Sequence, residues 1–136
     1  DLLALAQVWP EASHRQIRRG ARRLERQARR ARRRGLVSVD PVARHKWRIR
    51  EKDRFFASAI LGDAWPGKRR RKTAEKIGVA LGIERDALLL MERLVAEPEI
   101  AGDERNLRRA LKMLNRRRSK FARRADALAS RMRSRS

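Results

Sequence analysis

The chain has 136 residues and no cysteine, and its 38 lysines and arginines against 16 acidic residues give a formal net charge of +22. The absence of cysteine excludes a disulfide framework and a thiolate metal site. A charge this large exceeds what solubility requires, and it indicates a polyanionic partner, with nucleic acid favoured over an anionic membrane surface. The apolar fraction of 41% suffices for one typical domain, or two very small ones, with a thin core.

The first two predicted elements are a short apolar helix at residues 2–9, which Pro10 ends, and a longer amphipathic helix at residues 13–34. Ser13 is in position to cap the second helix and Gly35 to end it. Its narrow apolar stripe follows 4,3,4,3 spacing and consists of Ile17, Ala21, Leu24, Ala28 and Ala31. The opposite side is the main candidate nucleic-acid-binding face, and it consists of Arg15, Arg18, Arg19, Arg22, Arg23, Arg26, Arg29, Arg30 and Arg33.

A short β-hairpin is predicted for residues 36–50. Val37 and Val39 alternate with polar neighbours, Asp40 and Pro41 signal a turn, and apolar residues alternate again toward Ile49. We therefore expect strands at residues 36–39 and 46–50. Basic side chains around an aromatic ring form a second candidate contact, which consists of Arg44, Lys46, Trp47 and Arg48. For the tryptophan, a place over the protein core is the favoured alternative.

Three shorter helices are predicted next, at residues 52–64, 73–83 and 84–96. We expect the first to bury Phe55, Phe56, Ala59 and Ile60 before Trp65-Pro66-Gly67 ends it. Gly82 is the expected C-cap of the second, and Pro98 follows the end of the third. A basic run precedes the second helix and is a further candidate contact, consisting of Lys68, Arg69, Arg70, Arg71 and Lys72.

A long last helix is predicted from its cap, Asp103, to about Ser130. One of its faces repeats every 3.5 residues and consists of Leu107, Leu111, Leu114, Arg118, Phe121, Ala125, Leu128 and Met132. This face at 104–132 packs within the molecule or pairs with another copy or subunit, and packing within the molecule is favoured. The helix also supplies candidate phosphate contacts, namely Arg108, Arg109, Arg116, Arg117, Arg118, Arg123 and Arg124.

The region 84–104 is acidic within this basic chain, since its seven acidic residues and two arginines give a net charge of −5. We expect it either to contact arginines of this chain or another subunit, or to be a solvated surface. Enzyme chemistry has little support. The two histidines, His14 and His45, both have basic neighbours, and no nucleophile–base pair or metal-ligand spacing is present. Residues 62–68 fit the GxxxxGK pattern of a phosphate-binding loop, but Arg69 replaces the Ser or Thr that binds Mg²⁺.

Two stretches resemble helix-turn-helix proteins. Residues 2–50 resemble a winged-helix DNA-binding domain, in which Leu24, Ala28 and Ala31 match the end of the recognition helix and residues 35–37 the first wing strand. That resemblance implies a turn at Gly20 and duplex DNA as partner. Residues 74–94 give a second match, in which a small, a glycine and an apolar position are occupied by Gly78, Gly82 and Leu88. Two packed helices are the alternative interpretation of this second stretch.

The sequence thus predicts a mostly α-helical bundle with one short hairpin. Residues 1–50 form a basic, winged-helix-like module and residues 51–136 a helical module, or both form one continuous domain. We expect a non-enzymatic nucleic-acid-binding protein without cofactor or metal, and the favoured form is an RNA-binding subunit of a ribonucleoprotein. A winged-helix DNA-binding protein and an oligomeric packaging protein are the alternatives. The expected location is the cytoplasm, nucleoid or a ribonucleoprotein, since neither a secretion signal nor a membrane-spanning run is recognised.

Overall fold

The computed structural model describes residues 14–38, 40–62 and 71–134, and these ranges contain four α-helices, one short 3-10 helix and no strand. The described residues up to Lys76 form one compact unit, and those from Ile77 onward form a second. The prediction of a mostly helical protein is therefore confirmed for the described residues. The predicted helix at 2–9, the cap Ser13, the basic residues 68–70 and the end of the C-terminal tail lie outside them.

Helix α1, His14–Val37, carries the predicted apolar stripe on its inner side. Ala21, Ala28 and Ala31 are buried, while Ile17 and Leu24 are half-buried. The helix continues through Gly20, so the turn that a winged-helix arrangement requires at this position is absent. It also continues through Gly35 for two more residues, so this glycine does not end the helix as predicted.

Helix α2, Pro41–Leu61, replaces the predicted hairpin, which is wrong. Asp40 is the helix N-cap, since its Oδ1 accepts a hydrogen bond from the Val42 amide at 3.0 Å, and Pro41 occupies the first helical position. The Asp-Pro pair that suggested a turn between strands is thus a helix start. The predicted domain boundary between residues 50 and 51 falls inside this helix.

The buried face of α2 also differs from the predicted one. Trp47, Glu51, Arg54, Ser58 and Leu61 recur at helical spacing and are buried together with Ala57. Phe56 and Ile60, which we expected inside, are 46% and 56% exposed, Ala59 is exposed and Phe55 is half-buried. Because three members of the buried stripe are polar, the apolar pattern alone points to the wrong side of the helix.

Helices α1 and α2 form an antiparallel hairpin with a short connection. Near its open end, Ala21, Ala57 and Leu61 form an apolar cluster against which Ile17 and Leu24 pack. Alanine is the smallest side chain available to such an interface, and it allows the helix axes to approach closely. The hairpin fixes the orientation of α1 and therefore decides which of its sides faces outward.

Helix α3, Arg71–Ala96, is continuous where two helices were predicted. Gly82 lies in its interior and does not act as a C-cap, so the helix-turn-helix interpretation of residues 74–94 is wrong. The division between the two compact units falls within this helix. A 3-10 helix, Pro98–Ala101, follows it, and the next residue is Gly102, whose φ of +90° favours glycine.

Helix α4, Glu104–Ser134, is the predicted long last helix, extended by one turn. Asp103 caps it as expected, since its Oδ1 accepts a hydrogen bond from the Asn106 amide at 2.7 Å. In its C-terminal part Ala125, Ala129 and Met132 are buried. The rest of the predicted 3.5-residue face is only half-buried, so its pairing with another copy or subunit stays a prediction.

Candidate nucleic-acid interface

The outer side of α1 is the most concentrated positive surface of the described residues. At about 100° per residue, the nine predicted arginines fall within a sector of about 140°, and between positions 15 and 33 every residue in that sector is arginine. All nine are exposed. We call this surface the arginine face, and its members are Arg15, Arg18, Arg19, Arg22, Arg23, Arg26, Arg29, Arg30 and Arg33.

The positive charge of the arginine face is not compensated within the described structure. The nine arginines form no ion pair with another described residue, and the one acid of α1, Glu25, is buried and pairs with Arg54 of α2. Like charges at i,i+4 along the face repel each other. Five members line an open depression of about 490 Å³, namely Arg15, Arg18, Arg19, Arg22 and Arg26. An anion seated there would meet several guanidinium groups at once.

A buried ionic cluster between α1 and α2 holds the arginine face outward. The guanidinium of Arg54 donates hydrogen bonds to Glu25 Oε2 of α1 at 3.1 Å and to Glu51 Oε2 of α2 at 2.5 Å. The Trp47 indole donates to the other oxygen of Glu51 at 3.0 Å. Charge-assisted bonds of this kind are directional, so they fix the rotation of α1 about its axis. Because of that rotation, the apolar stripe faces inward and the arginines face solvent.

Trp47 lies at the closed end of the hairpin and is fully buried against Gly35. A Cβ atom on Gly35 would lie 2.8 Å from the Trp47 ring, so only glycine allows this approach. Arg44 covers the other part of the ring, with its Cζ 5.1 Å from the centroid, and donates a hydrogen bond to the Gly35 carbonyl at 3.1 Å. The ring is therefore a structural element that no nucleic-acid base reaches.

Among the described residues, Glu51 has a carboxyl group whose pKa is clearly shifted by the fold. Burial raises its pKa above the ordinary value of 4.5, against the opposing effects of Arg54, the Trp47 indole and Arg32. Arg32 belongs to α1 but is itself buried, so it lies outside the arginine face. One arginine of α1 thus helps to balance the cluster, whereas the nine on the outer side have no such role.

The other candidate residues of the first unit divide into exposed and structural ones. Lys46 and Lys72 are exposed and remain candidate contacts. Arg48 is half-buried, and Arg71 lies with its Cζ 5.8 Å from the Phe55 ring centroid. Arg44 and Trp47 belong to the hairpin interior, as described above. Lys68, Arg69 and Arg70 lie outside the described residues, as does most of the stretch that fits the phosphate-binding-loop pattern.

The candidate residues of the second unit lie on α4. Arg118 is half-buried and donates to Asn115 Oδ1 at 2.8 Å, and Arg117 lies with its Cζ 5.0 Å from the Phe121 ring centroid. The remaining ones are exposed, namely Arg108, Arg109, Arg116, Arg123 and Arg124. Of the seven acidic residues in the region 84–104, Glu84 alone is buried, and the role of this region as a contact for another subunit stays a prediction.

Sequence reasoning missed two sets of residues that belong with the candidate site. Glu25, Glu51 and Arg54 position the arginine face, and the spacing of Trp47, Glu51 and Arg54 at 4 and 3 was the available signal. The second set consists of exposed cations that share the helical phase of predicted ones, namely Arg34, Arg105, Lys112 and Lys120.

No protein-family model matches the chain, and neither the curated proteins nor the solved structures contain a significant match to it. Among the described residues, no helix is both long and apolar enough to cross a membrane. In the same residues no three His, Asp or Glu side chains are grouped in a way that could hold a metal ion.

Proposed function

We propose that this protein is a non-enzymatic nucleic-acid-binding protein that holds a phosphate backbone against the arginine face of α1. The observation that carries the proposal is the exposure of nine arginines on one side of one helix, without an acidic partner among the described residues. A face of this kind repels itself in isolation and is stabilised by a polyanion. The rigid hairpin presents it, since the inner side of the same helix is fixed to α2.

The mechanism is charge neutralisation with release of counterions. The face runs from Arg15 to Arg33, a distance of about 27 Å at about 1.5 Å per residue. Each phosphate that an arginine neutralises contributes about −0.7 to −0.9 to the slope of log affinity against log salt. Guanidinium groups also bridge phosphate oxygens in a fixed, forked geometry that lysine does not offer.

RNA is the ligand we favour, in a ribonucleoprotein in which this chain is a subunit. The arginine face contains no Asn or Gln that would read adenine, and guanidinium groups bind phosphate oxygens, so we expect its contacts to be mainly with the backbone. Arginine-rich segments are a recurring means of binding RNA by shape and phosphate. The resemblance to winged-helix DNA-binding domains loses support, because both the wing and the turn at Gly20 are replaced by continuous helix.

The central test is a charge reversal on the arginine face, with Arg22, Arg26 and Arg29 replaced by Glu. Loss of three phosphate contacts lowers the affinity of the arginine face by about a hundredfold or more at about 0.1 M salt, and the salt slope of binding to that face falls by at least about 2. Titrations of single- and double-stranded RNA and DNA at several salt concentrations measure both quantities. Circular dichroism should show unchanged helicity, since the reversals lie on the exposed side of α1.

The matched control reverses the same number of charges elsewhere, with Lys52, Lys76 and Arg93 replaced by Glu. These three side chains are exposed and lie outside α1, and both triple variants carry a net charge of +16, since each reversal lowers the starting +22 by 2. An equal loss of affinity in the control would show that net charge, and not the arginine face, decides binding. A strong preference for one duplex DNA sequence would contradict the ribonucleoprotein proposal.

A further inference from the structure

The exposed cations of α4 repeat those of α1 at a constant offset of 90 positions. Eight exposed basic residues of α1 have an exposed basic counterpart in α4. The α1 members are Arg15, Arg18, Arg19, Arg22, Arg26, Arg30, Arg33 and Arg34. Their counterparts, which we call the α4 face, are Arg105, Arg108, Arg109, Lys112, Arg116, Lys120, Arg123 and Arg124.

The inner sides of the two helices follow the same register. Ile17 corresponds to Leu107 and Leu24 to Leu114, and all four are half-buried. The apolar stripe and the basic face therefore hold the same angular relation in both helices. Since 90 positions equal 25 turns at 3.6 residues per turn, a constant offset preserves the helical phase.

The two helices also have the same net charge, and their basic faces are nearly equal in length. Each has a net charge of +10, from eleven arginines and one acid in α1 and twelve basic and two acidic residues in α4. The α4 face extends over about 28 Å, compared with about 27 Å for the arginine face. Of its eight cations, Arg108 alone has an ion pair with a described residue, an exposed contact of 3.8 Å to Glu104, and such a pair is weak.

We infer that α4 is a second phosphate-backbone site, so that one chain binds two nucleic-acid segments, one on each compact unit. The inference rests on the proposed function of the arginine face. It extends that function from the binding of one nucleic-acid segment to the joining of two. Each face has enough charge and length to hold its own segment, and the two faces belong to different units. Two sites on one chain raise the local concentration of the second segment once the first is bound.

The test counts short RNA duplexes per protein chain. An A-form RNA duplex of about ten base pairs is about 28 Å long and matches the length of one face. Native mass spectrometry of the full chain with this duplex gives the number of chains and duplexes in each complex. The arginine-face variant described above is compared with an α4 variant in which Arg109, Arg116 and Arg123 become Glu, which also has a net charge of +16.

We expect two duplexes per chain for the unaltered protein, one for each variant and none when both sets of reversals are combined. Saturation of the unaltered chain at one duplex, or two duplexes on the α4 variant, overturns the inference. If the arginine-face variant binds no duplex while the α4 variant binds one, the proposed function stands and the second site does not. Two duplexes on the arginine-face variant contradict the proposed function and with it this inference.

Discussion

On the outer side of α1, nine exposed arginines form no ion pair with another described residue, whereas on its inner side Arg54 of α2 is buried between Glu25 and Glu51. The residue type is the same, and the hairpin is the same, but the electrostatic setting is opposite. The buried arginine has its charge balanced by the fold. The outer arginines have theirs available to a partner.

This contrast distinguishes structural arginines, whose charge is balanced by nearby carboxylates, from candidate binding arginines, whose charge has no such partner among the described residues. Buried ion pairs are weak evidence for stability, because desolvation offsets their attraction, yet loss of one member leaves a buried charge. Exposed charges in water contribute little to folding in either direction. The two sides of the hairpin should therefore respond differently to the same substitution.

The largest expected effect is on the inner side, where Arg54→Met should lower the free energy of unfolding by about 3–5 kcal/mol. The substitution fills the position with an apolar side chain, but it leaves Glu25 and Glu51 buried without their cation. Arg26→Met on the outer side is the matched control and should change stability by no more than about 0.5 kcal/mol. Urea unfolding followed by circular dichroism measures both, and equal losses would show that the inner cluster has no special role.

The next effect comes from two glycines of α1. Alanine at Gly35 would place its Cβ 2.8 Å from the buried Trp47 ring, and overpacking of about 1–3 kcal/mol should exceed the gain in helix propensity of about 1 kcal/mol. At Gly20 nothing lies within 4 Å of the added atom, so Gly20→Ala should stabilise by about 0.5–1 kcal/mol. Opposite shifts in melting temperature are expected. Stabilisation by both substitutions would contradict the close approach at Trp47.

A smaller effect is the pH dependence that Glu51 gives to folding. Because burial raises the pKa of Glu51 in the folded state, the folded chain retains its proton more tightly than the unfolded chain. The associated stability is present below pH 4.5 and is lost as the pH rises through the raised pKa. Relative to the Glu51→Gln variant, the unaltered protein should therefore lose stability over this window. A relative gain with rising pH would mean that Arg54 outweighs burial.

The smallest effect is expected when the charge of the arginine face is kept and only the geometry of its cationic groups is changed. Replacing Arg22, Arg26 and Arg29 with Lys should leave the salt slope unchanged and weaken RNA binding by less than about tenfold. The positive charges persist, but the planar fork that bridges phosphate oxygens is lost. A fall in slope like that of the Glu variant would show that lysine does not neutralise the same phosphates.

Charge and helical periodicity predicted which side of α1 is exposed, since Ile17, Ala21, Leu24 and the surrounding arginines follow one period along the helix. That this side binds nucleic acid stays a prediction. Sequence reasoning failed at α2, where the buried stripe contains Glu51 and Arg54. When only apolar residues are counted, Glu51 and Arg54 are assigned to the surface. Trp47 and Ile49 then alternate with polar neighbours, which is the pattern of a strand.

The interior glycines misled the prediction in a second way. Gly35 and Gly82 are each placed where a helix C-cap is expected, and both lie inside helices. At Gly35 the reason is tertiary, because the Trp47 ring needs the missing Cβ. Trp47 lies twelve positions away on another helix, so the residues next to Gly35 in the sequence do not indicate this contact.

The contacts that close the α1–α2 hairpin join residues that are near each other in the chain. Arg44 bonds to Gly35, Arg50 to Gln27 and Arg54 to Glu25, at separations of 9, 23 and 29 positions. Chains dominated by such local contacts fold in microseconds to milliseconds, which is faster than protein synthesis adds single residues. We therefore expect the hairpin to close once Leu61 has emerged from the ribosome. The arginine face would then be exposed to solvent while the second unit is still being translated.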